Sequence, residues 1–177
     1  MTRKVILDCD PGIDDAVALS MALFDPRLEV LAITATAGNV SADQASRNVQ
    51  AIIEQLDPPR FPRVGSATAP ESCAGTDAMY LHGEDGLGNS GLVVSRLHHR
   101  HPSEKVICDA VRAAPNRVTI VCLGPLTNVA RAFQRDPDLP TLVDRIVMTG
   151  GAITGIGNVT AAAEFNMHFD APSAQTV

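Results

Sequence analysis

Several things are missing from this 177-residue chain, and each absence excludes a class of protein. Basic charge is not in excess: 14 Lys and Arg stand against 20 Asp and Glu, a net charge of −6. A nonspecific nucleic-acid binder needs a basic face, so no nucleic-acid partner is expected. No apolar run approaches the roughly 20 residues that span a bilayer, and the opening "MTRKVILDCD" has no signal-peptide h-region. No membrane association is expected, and the predicted location is cytoplasmic. The four cysteines, Cys9, Cys73, Cys108 and Cys122, show no CxxC spacing. Three of them lie in apolar runs, which predicts buried thiols rather than disulfides or a zinc site. Fixed-period repeats and low-complexity tracts are also lacking.

What is present is a 45 % hydrophobic chain of a length suited to one domain with a sizeable core. Its patterns alternate. "KVILDC" reads as a buried strand and "DDAVALSMALF" as a helix. "LEVLAITATAG" reads as a strand, and "SADQASRNVQAIIEQL" as a helix with Ser41 as N-cap and Gln44 completing a capping box. "RVTIVCLG", "PLTNVARAFQRD" and "VDRIVMTGG" continue as strand, helix and strand. Such alternation predicts an α/β fold: a mostly parallel sheet, continuously apolar along its strands, with helices on both faces. Residues 57–72 read as loop around one short strand, and the glycine-rich 75–91 as a long functional or mobile loop. The cluster His98, His99 and His101 reads as solvated loop, since no acidic or cysteine partner lies nearby in sequence.

One stretch carries chemistry. "LDCDPGIDDAVAL" places Asp8, Asp10, Asp14 and Asp15 between a strand and a helix. Residues two apart in a strand share a face, so Asp8 and Asp10 point together at the strand's C-terminal end. A helix N-terminus stabilises each nearby carboxylate by about 0.3–1 kcal/mol. Two carboxylates about 5 Å apart repel by roughly 3 kcal/mol at an effective dielectric near 20. Repulsion wins, so either some of them hold protons or a cation sits among them. Oxygen-only ligands point to a hard cation, and a mixture of carboxylate, backbone carbonyl and water suits calcium. The end of "TIVCLG" should reach the same sheet edge, where open α/β sheets bind ligands. Residues 150–170 follow a strand to that edge, and Asn158, Glu164 and Asn166 offer hydrogen bonds to a polyol such as a sugar.

Taken in order, "DCDPGIDDAVAL", "TATAGNV", "HGEDGLG", "LGPLTNVA" and "GNVTAAAEFNMHFDA" resemble the inosine–uridine-preferring nucleoside hydrolases over essentially the whole chain. The resemblance implies that family's open Rossmann-like core and its activity, calcium-assisted hydrolysis of the N-glycosidic bond of ribonucleosides to ribose and free base. It implies Asp10 as general base and calcium ligand, Asp15 as bidentate ligand, and the Leu123 carbonyl as a third. Asp14 and Asn166 match residues holding the ribose 2′- and 3′-hydroxyls. Asn158 and Glu164 match those near the 5′-hydroxyl, Asn39 one lining the pocket, and His82 one on the base side. Asp8 is expected to orient its neighbours rather than bind directly.

Two departures stand out. Thr149 in "MTGG" occupies a position where the family usually has methionine. Family members are also longer. Their C-terminal half brings another calcium-ligating aspartate and, in several, a histidine that protonates the leaving base; His168 lies in the wrong motif to replace it. The expectation is thus a sheet truncated at its C-terminus, whose open strand edge favours a homo-oligomer, dimer or tetramer. A non-catalytic calcium- or ribose-binding module is the alternative. A phosphatase of the haloacid dehalogenase type also ends its first strand in DxD, but wants Thr or Val where Gly12 stands and leaves "GPLTN" and "AEFN" unexplained.

Overall fold

The computed structural model describes residues 2–71, 73, 78–95 and 101–177. Its strands are β1 (Arg3–Cys9), β2 (Leu28–Ala35), β3 (Arg63–Ser66), β4 (His101–Pro102), β5 (Val118–Cys122) and β6 (Arg145–Met148). They form one sheet in the order β4-β3-β2-β1-β5-β6, and every pairing is parallel. The helices are α1 (Ile13–Phe24), α2 (Ala42–Leu56), α3 (Met79–His82), α4 (Ser103–Ala113), α5 (Thr127–Arg135), α6 (Leu139–Leu142), α7 (Phe165–Phe169) and α8 (Ala171–Thr176).

Strand alternation divides the core in two. Ile6, Ala32, Ile120 and Cys122 pack with Val106, Ile107 and Val111 of α4 and Leu126 and Val129 of α5 or the turn before it. Val5, Leu7, Cys9 and Ile33 turn the other way, against Leu19 of α1 and Val49, Ile52 and Ile53 of α2. The sheet is therefore covered on both faces, as continuously apolar strands require. Cys9, Cys108 and Cys122 are buried free thiols, and Cys73 is an exposed one.

Helix ends follow local chemistry. Ser41 Oγ accepts from the Gln44 N–H at 3.3 Å, as expected of an N-cap. The predicted capping box is left half-made, because the Gln44 side chain donates instead to Asn48 Oδ1, at 2.8 Å. α2 ends where Asp57 adopts a left-handed φ of 42°, just before Pro58. Some boundaries differ from the sequence reading. β2 stops at Ala35 rather than Gly38, α5 begins at Thr127 rather than Pro125, and α3 forms inside the glycine-rich 75–91 stretch. α4 was not anticipated, although Val106, Ile107, Ala110 and Val111 have the spacing of one buried helical face. His98 and His99 lie outside the described residues, and His101 opens β4 as an exposed residue.

β1 and β5 are adjacent, yet the chain leaves β1 for β2 on the opposite side. This reversal makes a topological switch point, and the crevice beyond the C-terminal ends of β1 and β5 is where such sheets bind ligands. Asp10 directly follows β1 there, and Leu123 directly follows β5. Among the described residues no helix is long and apolar enough to cross a membrane.

Candidate active site

The carboxylates that repel one another on paper are driven deeper into the protein by the fold. Asp8, Asp10 and Asp15 are 0, 1 and 5 % exposed, whereas Asp14 lies at the surface. Asp8 shares the face of Ile6 and meets α5 there. Its Oδ1 accepts from Thr34 Oγ1 at 2.6 Å and from Asn128 Nδ2 at 2.8 Å, while its Oδ2 is buried with no hydrogen-bond partner among the described residues. Asn128 also donates to the Ala35 carbonyl at 2.7 Å, so one amide ties together the ends of β1, β2 and the start of α5.

Asp10 is held by Asn39 at two points, once by the Asn39 backbone and once by the Asn39 side chain. The Asn39 N–H donates to its Oδ2 at 2.7 Å, and Asn39 Nδ2 donates to its carbonyl at 3.2 Å. Gly38 and Gly124 press against the same carboxylate so closely that a Cβ on either would overlap it. These two glycines, one past β2 and one past β5, leave Asp10 a slot that no side chain could share. Asp15, in the first turn of α1, accepts from the Gly12 N–H at 2.9 Å and so caps its own helix.

Burial dominates the electrostatics. It pushes Asp8 up to about 7 despite the Thr34 and Asn128 hydrogen bonds. Burial also raises Asp15 to about 6, against the Gly12 hydrogen bond. Asp10 is driven well above the usual carboxylate range by burial first and the Asp15 charge second. Among the described residues, no Lys or Arg forms an ion pair with any of the three.

The remaining predicted residues fall into two groups. Asp14, Asn39 and His82 converge on the Pro11–Gly12 turn: a Cβ at Gly12 would lie 2.9–3.0 Å from an atom of each. His82 Nδ1 accepts from the Ile13 N–H at 3.3 Å and lies 3.9 Å from Asp14 Oδ1. Its loop is organised by Asp85, whose Oδ1 accepts from Leu87 N and Asn89 N, and by Asn48, which bridges the carbonyls of Asp85 and Pro11. The second group gathers beyond β5 and β6. Asn166 Nδ2 donates to the Leu123 carbonyl at 2.9 Å, and Thr149 Oγ1 donates to the same oxygen at 3.0 Å. Glu164 caps α7, its Oε2 accepting from Met167 N and Gly151 N, and Asn158 Oδ1 accepts from Phe165 N at 2.8 Å. Gly124, next to Leu123 and against Asp10, joins the two groups.

Sequence reasoning overlooked Thr34, Asn128, Gly38 and Gly124. The signal for the glycines was in "TATAG" and "LGPLTN", each with a glycine just beyond a strand beside β1. Thr34 and Asn128 had no local signal, since only the folded sheet brings them to Asp8.

Among the described residues, no three His, Cys, Asp or Glu side chains are gathered around one point. The site instead offers two buried carboxylates, Asp10 and Asp15, a backbone carbonyl at Leu123 and an unpartnered buried oxygen on Asp8. All are hard oxygen donors, and no Lys or Arg among the described residues is ion-paired to the carboxylates. That set fits a calcium-like ion completed by water or substrate oxygens.

Residues 5–177 match the family described as inosine-uridine preferring nucleoside hydrolase, and the chain belongs to that family. It is 42 % identical to a pyrimidine-specific ribonucleoside hydrolase, RihA, from Salmonella schwarzengrund (strain CVM19633), over all of this chain and 57 % of that protein. In structure it resembles a purine-preferring ribonucleoside hydrolase from Gardnerella vaginalis, with a TM-score of 0.90 and 32 % identity over 98 % of this chain and 57 % of that one. A plant nucleoside hydrolase, PpNRh1, superposes with a TM-score of 0.86 and 37 % identity over 99 % of this chain and 56 % of its own. The chain thus spans a little over half the length of the relatives it matches.

Proposed function

We propose that this chain carries the water-activating half of a ribonucleoside N-glycosidase, acting in the cytoplasm as a homo-oligomer and yielding ribose and free base. The observation that carries the reading is the desolvated pair Asp10 and Asp15 at the β1/β5 switch point, with which no Lys or Arg among the described residues forms an ion pair. Asp10, Asp15 and the Leu123 carbonyl would hold calcium, which supplies Lewis acidity and the missing positive charge.

The protein's own groups do the rest. A carboxylate at Asp10, its Oδ2 fixed by Asn39 and its position by Gly38 and Gly124, accepts a proton from the attacking water. The water oxygen bonds to C1′ as the bond from C1′ to the base nitrogen breaks, and the base leaves with that electron pair. Charge at the ribose becomes positive along this path, and the buried carboxylates stabilise it. Asn166 has its amide nitrogen turned toward Leu123 and Thr149, which leaves Oδ1 as acceptor for a ribose hydroxyl. Asp14 would take the neighbouring hydroxyl, Asn158 and Glu164 would border the 5′ side, and Asn39 and His82 the base side. The Asn158 and Glu164 side chains already accept backbone hydrogens, which favours a loop-shaping part in that contact.

A second reading is a calcium- or ribose-binding module without turnover. The groups proposed for positioning and water activation lie on this chain, whereas among the described residues no side chain is assigned as acid for the leaving base. General acid–base groups contribute about 10²–10⁴-fold each. Hydrolysis of inosine and uridine by the 177-residue chain is therefore expected to be slow, dependent on calcium and lost in Asp10→Ala. Hydrolysis that survives both chelator and Asp10→Ala would overturn the proposal. Calcium binding without hydrolysis would support the module.

A further inference from the structure

The ends of β5 and β6 are joined by a small ring of hydrogen bonds built on Thr149. Thr149 Oγ1 donates to the Leu123 carbonyl at 3.0 Å, and Asn166 Nδ2 donates to the same oxygen at 2.9 Å. Asn166 Nδ2 also lies 3.1 Å from the Thr149 carbonyl and 3.3 Å from its hydroxyl. A carbonyl oxygen has two lone pairs, so both acceptor directions of Leu123 are occupied.

The two donors are not equivalent. Asn166 is buried and keeps a second acceptor, the Thr149 carbonyl, whatever happens at Leu123. Thr149 is an exposed residue whose hydroxyl turns about a single bond, so it can exchange Leu123 for water. A cation approaching Leu123 meets the positive end of that O–H dipole where it needs a lone pair. An apolar side chain at the same place would leave the lone pair free.

We propose that Thr149 is a positioning residue that competes with the cation for the Leu123 carbonyl, making this chain a weaker calcium binder than an apolar residue at 149 would. The inference rests on the calcium reading of the site. In the metal-free protein the hydroxyl takes the ion's place at the carbonyl and holds the end of β5 to the end of β6. Calcium binding releases it. Giving up one intramolecular hydrogen bond corresponds to a loss of about threefold to tenfold in affinity.

The test is isothermal titration of calcium chloride into chelator-stripped protein, comparing wild type with Thr149→Val, Thr149→Met and Thr149→Ser, each checked for folding by circular dichroism. Val removes the hydroxyl at nearly constant shape, and Ser restores it. Valine and methionine variants should bind calcium about threefold to tenfold more tightly than wild type, with serine at the wild-type value. Should Val not fold, Thr149→Ala takes its place. Equal or weaker binding by Val and Met overturns the inference, as does a serine variant that tightens as they do. A silent wild type beside a binding Val variant upholds it. If no variant binds, the calcium reading itself fails and this inference with it, whereas normal wild-type binding with an unresponsive Val variant defeats this inference alone.

Discussion

Two regions reach the same edge of the sheet and treat their polar residues in opposite ways. At the ends of β1 and β5, in the middle of the sheet, carboxylates are stripped of water and fixed by named partners: Thr34, Asn128, Asn39 and Gly12. Beyond β6, at the sheet's margin, residues 150–162 are mostly exposed, and Ile153 and Ile156 are 97 and 88 % open. The difference comes from position in the sheet rather than from polarity. A central strand delivers its terminal residues between two neighbours and two helical layers, while a marginal strand has a neighbour on one side only. Chemistry that needs desolvated charge belongs to the first place, and a surface that must admit a substrate belongs to the second.

That contrast can be broken most severely at Asp15. Asp15→Asn removes one of the two carboxylates proposed to hold calcium, and calorimetric calcium binding and any nucleoside hydrolysis should both disappear; binding at wild-type affinity would remove Asp15 from the ligand set. Gly38→Ala comes next. Its methyl must displace the Asp10 carboxylate, so the expected cost is about 1–3 kcal/mol in urea unfolding, together with weakened calcium binding. An unchanged midpoint would show that the slot around Asp10 is looser than its geometry.

The pH dependence of stability sharpens the comparison further. Asp8 and Asp15 stand at about 7 and about 6 in the folded chain, against an ordinary 3.8. The folded state therefore holds protons that the unfolded state has released. The stabilisation is complete below about pH 4 and fades as pH rises through 6 and 7. In chelator-treated protein the melting temperature should fall from pH 5 to pH 8, after allowance for the rest of the chain, and calcium should flatten that fall. A flat metal-free profile in Asp8→Asn would assign the largest part to Asp8. Smallest of all is Ile156→Ser on the exposed loop, expected to stay within about 0.5 kcal/mol of wild type by the same unfolding measurement.

How legible all this was in the sequence depended on distance along the chain. The alternation of strands and helices, the parallel sheet and the placing of Asp10 and Asp15 at its edge followed from patterns a few residues long. α4 escaped because its apolar face begins directly after a histidine-rich stretch without helical pattern. The burial of Asp8 escaped for a different reason. Its partners Thr34 and Asn128 are 26 and 120 residues away, and neither carries a mark that says it will face a carboxylate. Likewise the capping box at Ser41 was half right, because Asn48 one turn further on competes for the Gln44 side chain. Local rules give the elements; the satisfaction of buried polar atoms is settled only when the elements meet.

The hydrogen bond from Asn128 to Asp8 also bears on the order in which the molecule is assembled. A ribosome makes residue 128 well after residue 8, and until it arrives Asp8 lacks a partner on the face it must bury. The first three strands can pair with one another as they emerge, but closing the centre of the sheet waits for β5 to slide in beside β1. Long loop closures of this kind slow folding. The functional end of the protein is thus among the last parts to become itself, and an early chain carries its most acidic segment open to water, charged and uncommitted.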